Sequence, residues 1–213
     1  MKKIGILLTF TISLLICTIS FGQEQAPAPV IKDGTFWQFR ATRENWYQST
    51  STALAGDYEV LYQNSQLKVF KLDGASREEI TGVGADELKR MISLGQDQRK
   101  YFDLPLFEGK KRSASYTESG SPSARTNVTY EVKGIEDVST PGGNFRTFRI
   151  EGGARTSVTG NNYSFMVDRK YLQFYNTDVQ SIVKFHFETK SASGADSPSI
   201  REIELIKFGP ARQ

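Results

Sequence analysis

Cysteine and histidine each occur once in the 213 residues, as Cys17 and His186. A chain so poor in both has no second thiol for a disulfide, no thiolate set for an iron–sulfur cluster and no pair of imidazoles for a zinc site. A charge excess of one sign is missing too, since 27 Lys plus Arg oppose 24 Asp plus Glu. The Gly-x-Ser-x-Gly elbow of a serine hydrolase, the Gly-Lys-Ser/Thr signature of a phosphate-binding loop and the Asp-x-Asp-x-Asp-Gly calcium pattern are absent. Neither a cofactor nor a metal is predicted. Aromatic residues, by contrast, are plentiful: 14 Phe, 9 Tyr and 2 Trp.

The first 22 residues follow the order of a cleaved signal peptide: Lys2 and Lys3, an apolar run over 4–19, then Ser20-Phe21-Gly22 with small residues where a signal peptidase reads. The run is short for a bilayer span, which needs about 20 apolar residues. Lipid attachment at Cys17 is the lesser alternative, because Ile16 stands where a small residue is preferred. Without Lys2 and Lys3 the basic count falls from 27 to 25 against 24 acids, and so small a balance argues against nucleic acid as partner. The expected compartment is periplasmic or extracellular, where a mature chain without thiols has nothing to mispair. Residues 23–33, with Ala26-Pro27-Ala28-Pro29, read as a flexible linker, 34–209 as the folded domain and 210–213 as a tail.

The domain is dominated by short alternating runs separated by Gly, Asn, Ser and Pro, the period of antiparallel strands. Residues 35–41 put Trp37, Phe39 and Ala41 on one face; 57–63 put Tyr58, Val60 and Tyr62 on one face; Asn64-Ser65 turns the chain into 66–72. Trp46 and Tyr47 fall in an aperiodic stretch, as packing residues of a loop or ragged strand. Further strands are expected over 112–117, 125–133, 145–151, 155–159, 163–168, 171–175, 181–188 and 199–208, with turns at Pro141-Gly142, Gly152-Gly153 and Asn161-Asn162. Gly142 is expected to take the positive φ of a type II turn. One segment breaks the period. Residues 84–95 place Leu88, Met91 and Ile92 together, with acids early, bases late and Gly95 as a stop, which predicts one short amphipathic helix.

The fold class expected is therefore mainly β: a single strongly curved antiparallel sheet of about ten strands, a half-open barrel, with one short helix packed on it. The inward face would carry Trp37, Phe39, Tyr58, Val60, Tyr62, Tyr130, Val132, Phe148, Ile150 and Phe165. Such a face lines a pocket for an apolar or lipid-like ligand, receives an envelope protein, or is filled by its own side chains; the ordinary apolar fraction favours filling.

Catalytic candidates are few. His186 shares a strand face with Lys184 and Glu188 and reads as an exposed sheet residue. The acid pairs Glu78-Glu79, Asp86-Glu87 and Glu136-Asp137 read as solvated turn and helix-end residues. Arg99-Lys100 and Lys110-Lys111-Arg112 flank a loop over 101–109 and read as part of an exposed polar, cationic loop, contact with an anionic surface such as lipid headgroups or acidic polysaccharide being the lesser alternative. No enzyme activity is expected. Two rivals stand: an outer-membrane barrel, disfavoured by charged residues on the alternate strand faces, and an envelope-polymer hydrolase using Tyr62, Glu131 and His186.

Four segments together resemble an uncharacterised family of exported bacterial β-proteins: Leu104-Pro105-Leu106-Phe107-Glu108-Gly109-Lys110-Lys111, the run 130–145 with Val138-Ser139-Thr140-Pro141-Gly142-Gly143, the run 174–184 opening Phe174-Tyr175-Asn176-Thr177, and Glu204-Leu205-Ile206-Lys207-Phe208. That family is similar in architecture to the periplasmic lipoprotein carriers, half-open barrels with a helix at the mouth. Arg112 and Thr177 depart from its pattern, where an aromatic and a Pro are frequent. The resemblance implies a fold and an envelope location, and no reaction.

Overall fold

The computed structural model describes residues 23–44, 55–92, 102–118, 122–191 and 199–210. The expected export segment with Cys17, the residues Trp46, Tyr47, Gly95, Arg99 and Lys100, and the last three positions lie outside these.

Ten strands form one antiparallel sheet: β1 (Phe36–Glu44), β2 (Gly56–Gln63), β3 (Gln66–Asp73), β4 (Ser76–Ile80), β5 (Lys111–Glu118), β6 (Ser123–Thr140), β7 (Gly143–Thr159), β8 (Ser164–Asn176), β9 (Ser181–Ser191) and β10 (Ser199–Gly209). Their order is β4-β3-β2-β1-β10-β9-β8-β7-β6-β5, so the sheet ends at β4 and β5 and does not close. A sheet this wide must curl, and the curl makes a half-open barrel. One helix, α1 (Val83–Met91), follows β4 in the chain and precedes β5. In the chain α1 stands between the two edge strands β4 and β5, and its packing against concave-face residues, with Glu87 on Arg201, puts the helix over the hollow.

Two devices shape the turns. Asn64 and Ser65 take φ of 52° and 62°, the left-handed pair of a two-residue hairpin. At the β6–β7 hairpin the positive φ falls on Gly143, at 134°, not on Gly142 as a type II turn required. Gly142 has a different use. Its N–H donates to Leu205 O at 2.9 Å, and an added Cβ would meet backbone atoms of Leu205 and Ile206 at 3.0–3.1 Å.

Several strands are longer than the alternation suggested. The expected pairs 145–151 with 155–159, and 163–168 with 171–175, are single strands β7 and β8. Gly152-Gly153 is thus no turn: both residues stay in register, opposite Tyr130 and Thr129. Gly152 is needed because a Cβ there would lie 2.7–2.8 Å from Thr129 O and Tyr130 Cβ. Strand β4 escaped the sequence reading. It is a charged edge strand whose side chains are exposed up to Ile80, so it has no apolar alternation to detect.

The segment 23–33, expected as a flexible linker, is docked on the domain. Ala26 is buried and pairs through both backbone groups with Leu106, at 2.9 and 3.0 Å. Gln23 Nε2 donates to Glu108 O at 2.7 Å, and the Glu24 carboxylate meets Arg146 at 2.8 Å.

Candidate functional site

The concave face can be read as successive rows running across the strands, because residues paired in register on neighbouring strands point the same way. The first complete row is Ala41, Ile203, Phe185, Gln173, Ile150 and Val132. All six are buried, and five are apolar. Helix α1 closes over this level with Ala85, Leu88, Met91 and Ile92, each fully buried. The helix is only nine residues long and has no side-chain N-cap, so packing rather than intrinsic helix stability holds it. Trp37 lies alongside, its indole N–H donating to Val179 O at 2.8 Å. Phe102, from the loop before β5, packs its ring against that of Tyr175 at 4.9 Å, tilted by 57°.

The next row is Arg201, Phe187, Tyr171, Gly152, Tyr130 and Arg112. Aromatic residues occupy its middle and an arginine stands at each end. Both arginines are neutralised by carboxylates from the segment crossing the hollow. Arg201 forms a buried ion pair with Glu87 of α1, and Arg112 meets Asp103 at 3.2 Å. Arg112 also donates to the Tyr130 hydroxyl at 2.9 Å. The Phe187 ring lies 5.4 Å from Tyr171 and 5.6 Å from the Arg201 guanidinium. Burial pushes the Tyr171 hydroxyl up to about 12. It raises Tyr130 too, with Arg112 opposing. Both therefore remain protonated and neutral across the physiological range.

Beyond this level the face turns polar and then opens. Arg169 donates to the Thr156 hydroxyl, which shares a hydrogen bond of 2.9 Å with Thr126. At the far end Phe165, Val158 and Ala124 stand in register, and among the described residues no helix lies over them.

Eight of the ten residues expected on the inward face, Trp37, Phe39, Tyr58, Val60, Tyr130, Val132, Phe148 and Ile150, belong to one buried cluster, with Tyr62 packed partly buried against it. Phe165 is the exception: it is 48% exposed at the tip of the β7–β8 hairpin. Strand parity aligned it with the others, but the strand outruns the material covering the hollow. Sequence reasoning missed Tyr171, Phe185, Phe187 and Arg201 as part of this face. Parity held the signal for Arg201, which shares its phase with Ile203 and Leu205.

Two readings of charged residues are corrected. Glu87, expected as a solvated helix-end acid, is buried against Arg201 because α1 turns this face toward β10. Lys110 and Arg112, expected as part of an exposed polar, cationic loop, hold that loop in front of β5: Lys110 Nζ donates to Asp103 O and Pro105 O at 2.8 and 2.7 Å. His186 lies on the convex face, half-buried, with Nδ1 3.1 Å from Glu202 Oε1. Neighbouring Lys184 and Glu204 pair at 2.8 Å.

The convex side holds a groove of about 730 Å³ over β1–β4, with Gln38, Glu59, Leu61 and Arg77 among its walls. The Glu59 carboxylate is buried there, bonded by Arg77 at 2.8 Å and Gln38 at 2.9 Å, and the Arg77 guanidinium sits 3.5 Å above Phe70. A shallower groove of about 550 Å³ runs beside Lys111, Glu131, Lys133 and Gly153. Among the described residues no group of three or more His, Cys, Asp or Glu is placed to hold a metal ion, and no helix is long and apolar enough to cross a membrane.

No protein-family model matches this chain, and no curated protein does either. Among solved structures it is similar to a candidate lipoprotein of Parabacteroides distasonis, at 10% identity over 86% of this chain and 97% of that one, with a TM-score of 0.39. It is also similar to a candidate exported protein of Bacteroides fragilis with a YmcC-like fold (8% identity, 84% and 96% covered, TM-score 0.32). A third is the hypothetical lipoprotein YmcC of Escherichia coli (11% identity, 83% and 85% covered, TM-score 0.32).

Proposed function

We propose that this chain is an exported, non-enzymatic envelope protein that works as an interaction module: its hollow is filled by its own side chains, and its contacts are made by outer surfaces. The observation that carries this reading is the fully buried set Trp37, Phe39, Phe185 and Ile203 beneath Leu88, Met91 and Ile92. A carrier of an apolar ligand in the same place would need that volume vacant. The buried Arg201–Glu87 pair supports it further, because lifting the helix to admit a ligand would separate two charges inside the protein. The signal-like order of residues 1–22 supports the envelope location. The paired charges and protonated tyrosines of the second row suit packing and recognition better than proton transfer.

Native mass spectrometry of the protein purified from the cell envelope is the test. The expected mass is that of the bare exported polypeptide. A co-purifying lipid or other apolar compound overturns the filled-hollow reading, and recovery from the cytosol with residues 1–22 intact overturns the location.

A further inference from the structure

The β7–β8 hairpin ends in apolar side chains on both of its faces, Tyr163 and Phe165 on one and Met166 on the other, which are 52%, 48% and 45% exposed among the described residues. Tyr163 and Phe165 stack at 6.0 Å. Tyr163 closes the turn by accepting from the Gly160 N–H at 2.9 Å. Its ring lies over Gly160 so closely that a Cβ there would meet ring carbons at 2.5–2.6 Å. The rings are therefore presented in a fixed place.

The charges around this tip are arranged in a definite way. Residues 156–167 contain no charged side chain. Immediately behind them Arg155 and Asp168 face each other across the two strands and neutralise one another through two hydrogen bonds of 2.7 and 3.0 Å. Farther back, Lys190 pairs with Glu188 at 3.0 Å, and Arg125, Arg169 and Lys170 on β6 and β8 add positive charge at the same end of the sheet.

We infer that this hairpin tip docks on an anionic lipid surface. The uncharged segment lays Tyr163, Phe165 and Met166 into the headgroup region, where tyrosine and other aromatic rings are favoured, and the cationic excess behind it faces the phosphates. Uncharged residues at the tip remove the penalty that a desolvated charge would impose. This deepens the interaction-module reading and rests on it only for the compartment.

Sedimentation of the exported protein with unilamellar vesicles of phosphatidylethanolamine and phosphatidylglycerol tests it, beside vesicles of phosphatidylcholine alone. The protein is expected to bind the anionic vesicles, more weakly as salt rises. The triple variant Tyr163→Ser, Phe165→Ser, Met166→Ser is expected to lose about tenfold or more in partitioning while its thermal midpoint stays put. In a Tyr163→Trp variant, the emission added by the substitution is expected to move to the blue on those vesicles. Equal binding by the triple variant, no binding by the unsubstituted protein, or an unmoved emission overturns the inference. So does a concentration-dependent self-association abolished by the triple variant without vesicle binding, which would make a second copy the occupant. Envelope residence without vesicle binding defeats this inference alone, whereas a cytosolic location defeats the proposed function and leaves the vesicle result standing.

Discussion

The two ends of the concave face are built from the same strands with the same alternation, yet one end is dry and the other open. Phe185 and Phe165 show the difference. Both point into the hollow, and Phe185 is fully buried whereas Phe165 is about half exposed. What separates them is cover: α1 and the loop carrying Phe102 lie over the first rows, and the 17- and 13-residue strands β7 and β8 run on past them. Alternation in a strand says which residues share a face, and only the elements packed on that face decide whether it is core.

Phe185→Ala should break the dry end most severely, by about 3–5 kcal/mol in urea unfolding, through lost burial and the cavity left behind. An effect below about 1 kcal/mol would mean that this level is not close-packed. Glu87→Ala should cost about 3–5 kcal/mol as well, since it strands the Arg201 charge in the interior. Replacing both partners by leucine should recover much of that loss, and a double variant as unstable as the single one would refute the pairing argument. Gly152→Ala tests the boundary between the ends. The contacts of 2.7–2.8 Å leave no room for a methyl group, so a loss of about 1–3 kcal/mol is expected.

Alkali gives a fourth test. Burial holds Tyr171 near 12 against an ordinary value of 10, and Tyr130 and Tyr175 are raised in the same direction for the same reason. Above pH 10 the unfolded chain sheds these protons before the folded one does, so the folded state binds more protons. Stability is then fully present below pH 10 and falls as the pH rises toward 12. A flat profile of the urea midpoint over that range would contradict their burial. The smallest effect is expected at the open end: Phe165→Ala should change stability by no more than about 0.5 kcal/mol, and a loss comparable to that of Phe185→Ala would show that the tip is covered after all.

How much of this was legible depended on the kind of signal. Trp37, Phe39 and Ala41 alternate cleanly against exposed Arg40, so their face could be assigned from the chain alone. The helix was legible from Leu88, Met91 and Ile92 for the same reason. Strand β4 was not, because Ser76-Arg77-Glu78-Glu79 has no buried side to mark it. Gly152-Gly153 was misread as a turn because glycine in sequence marks either a bend or a close approach, and only the Tyr130 side chain opposite tells which. Glu87 looked like any first-turn acid, and its burial required knowing that Arg201 would lie beneath it. Phe165 carried the right parity and the wrong environment.

By itself the amino-acid order determined the local matters: the period-two pattern, the turn residues, the single amphipathic helix and a chain too poor in thiols and imidazoles for most metal chemistry. These follow from interactions between residues a few positions apart, which the chain carries wherever it goes. The tertiary structure alone decided which stretch of the inward face is sealed, which arginine meets which carboxylate, and which aromatic rings are left at the surface. Those outcomes depend on residues such as Glu87 and Arg201, brought together by a connection that crosses from one edge of the sheet to the other, and no local pattern records that meeting.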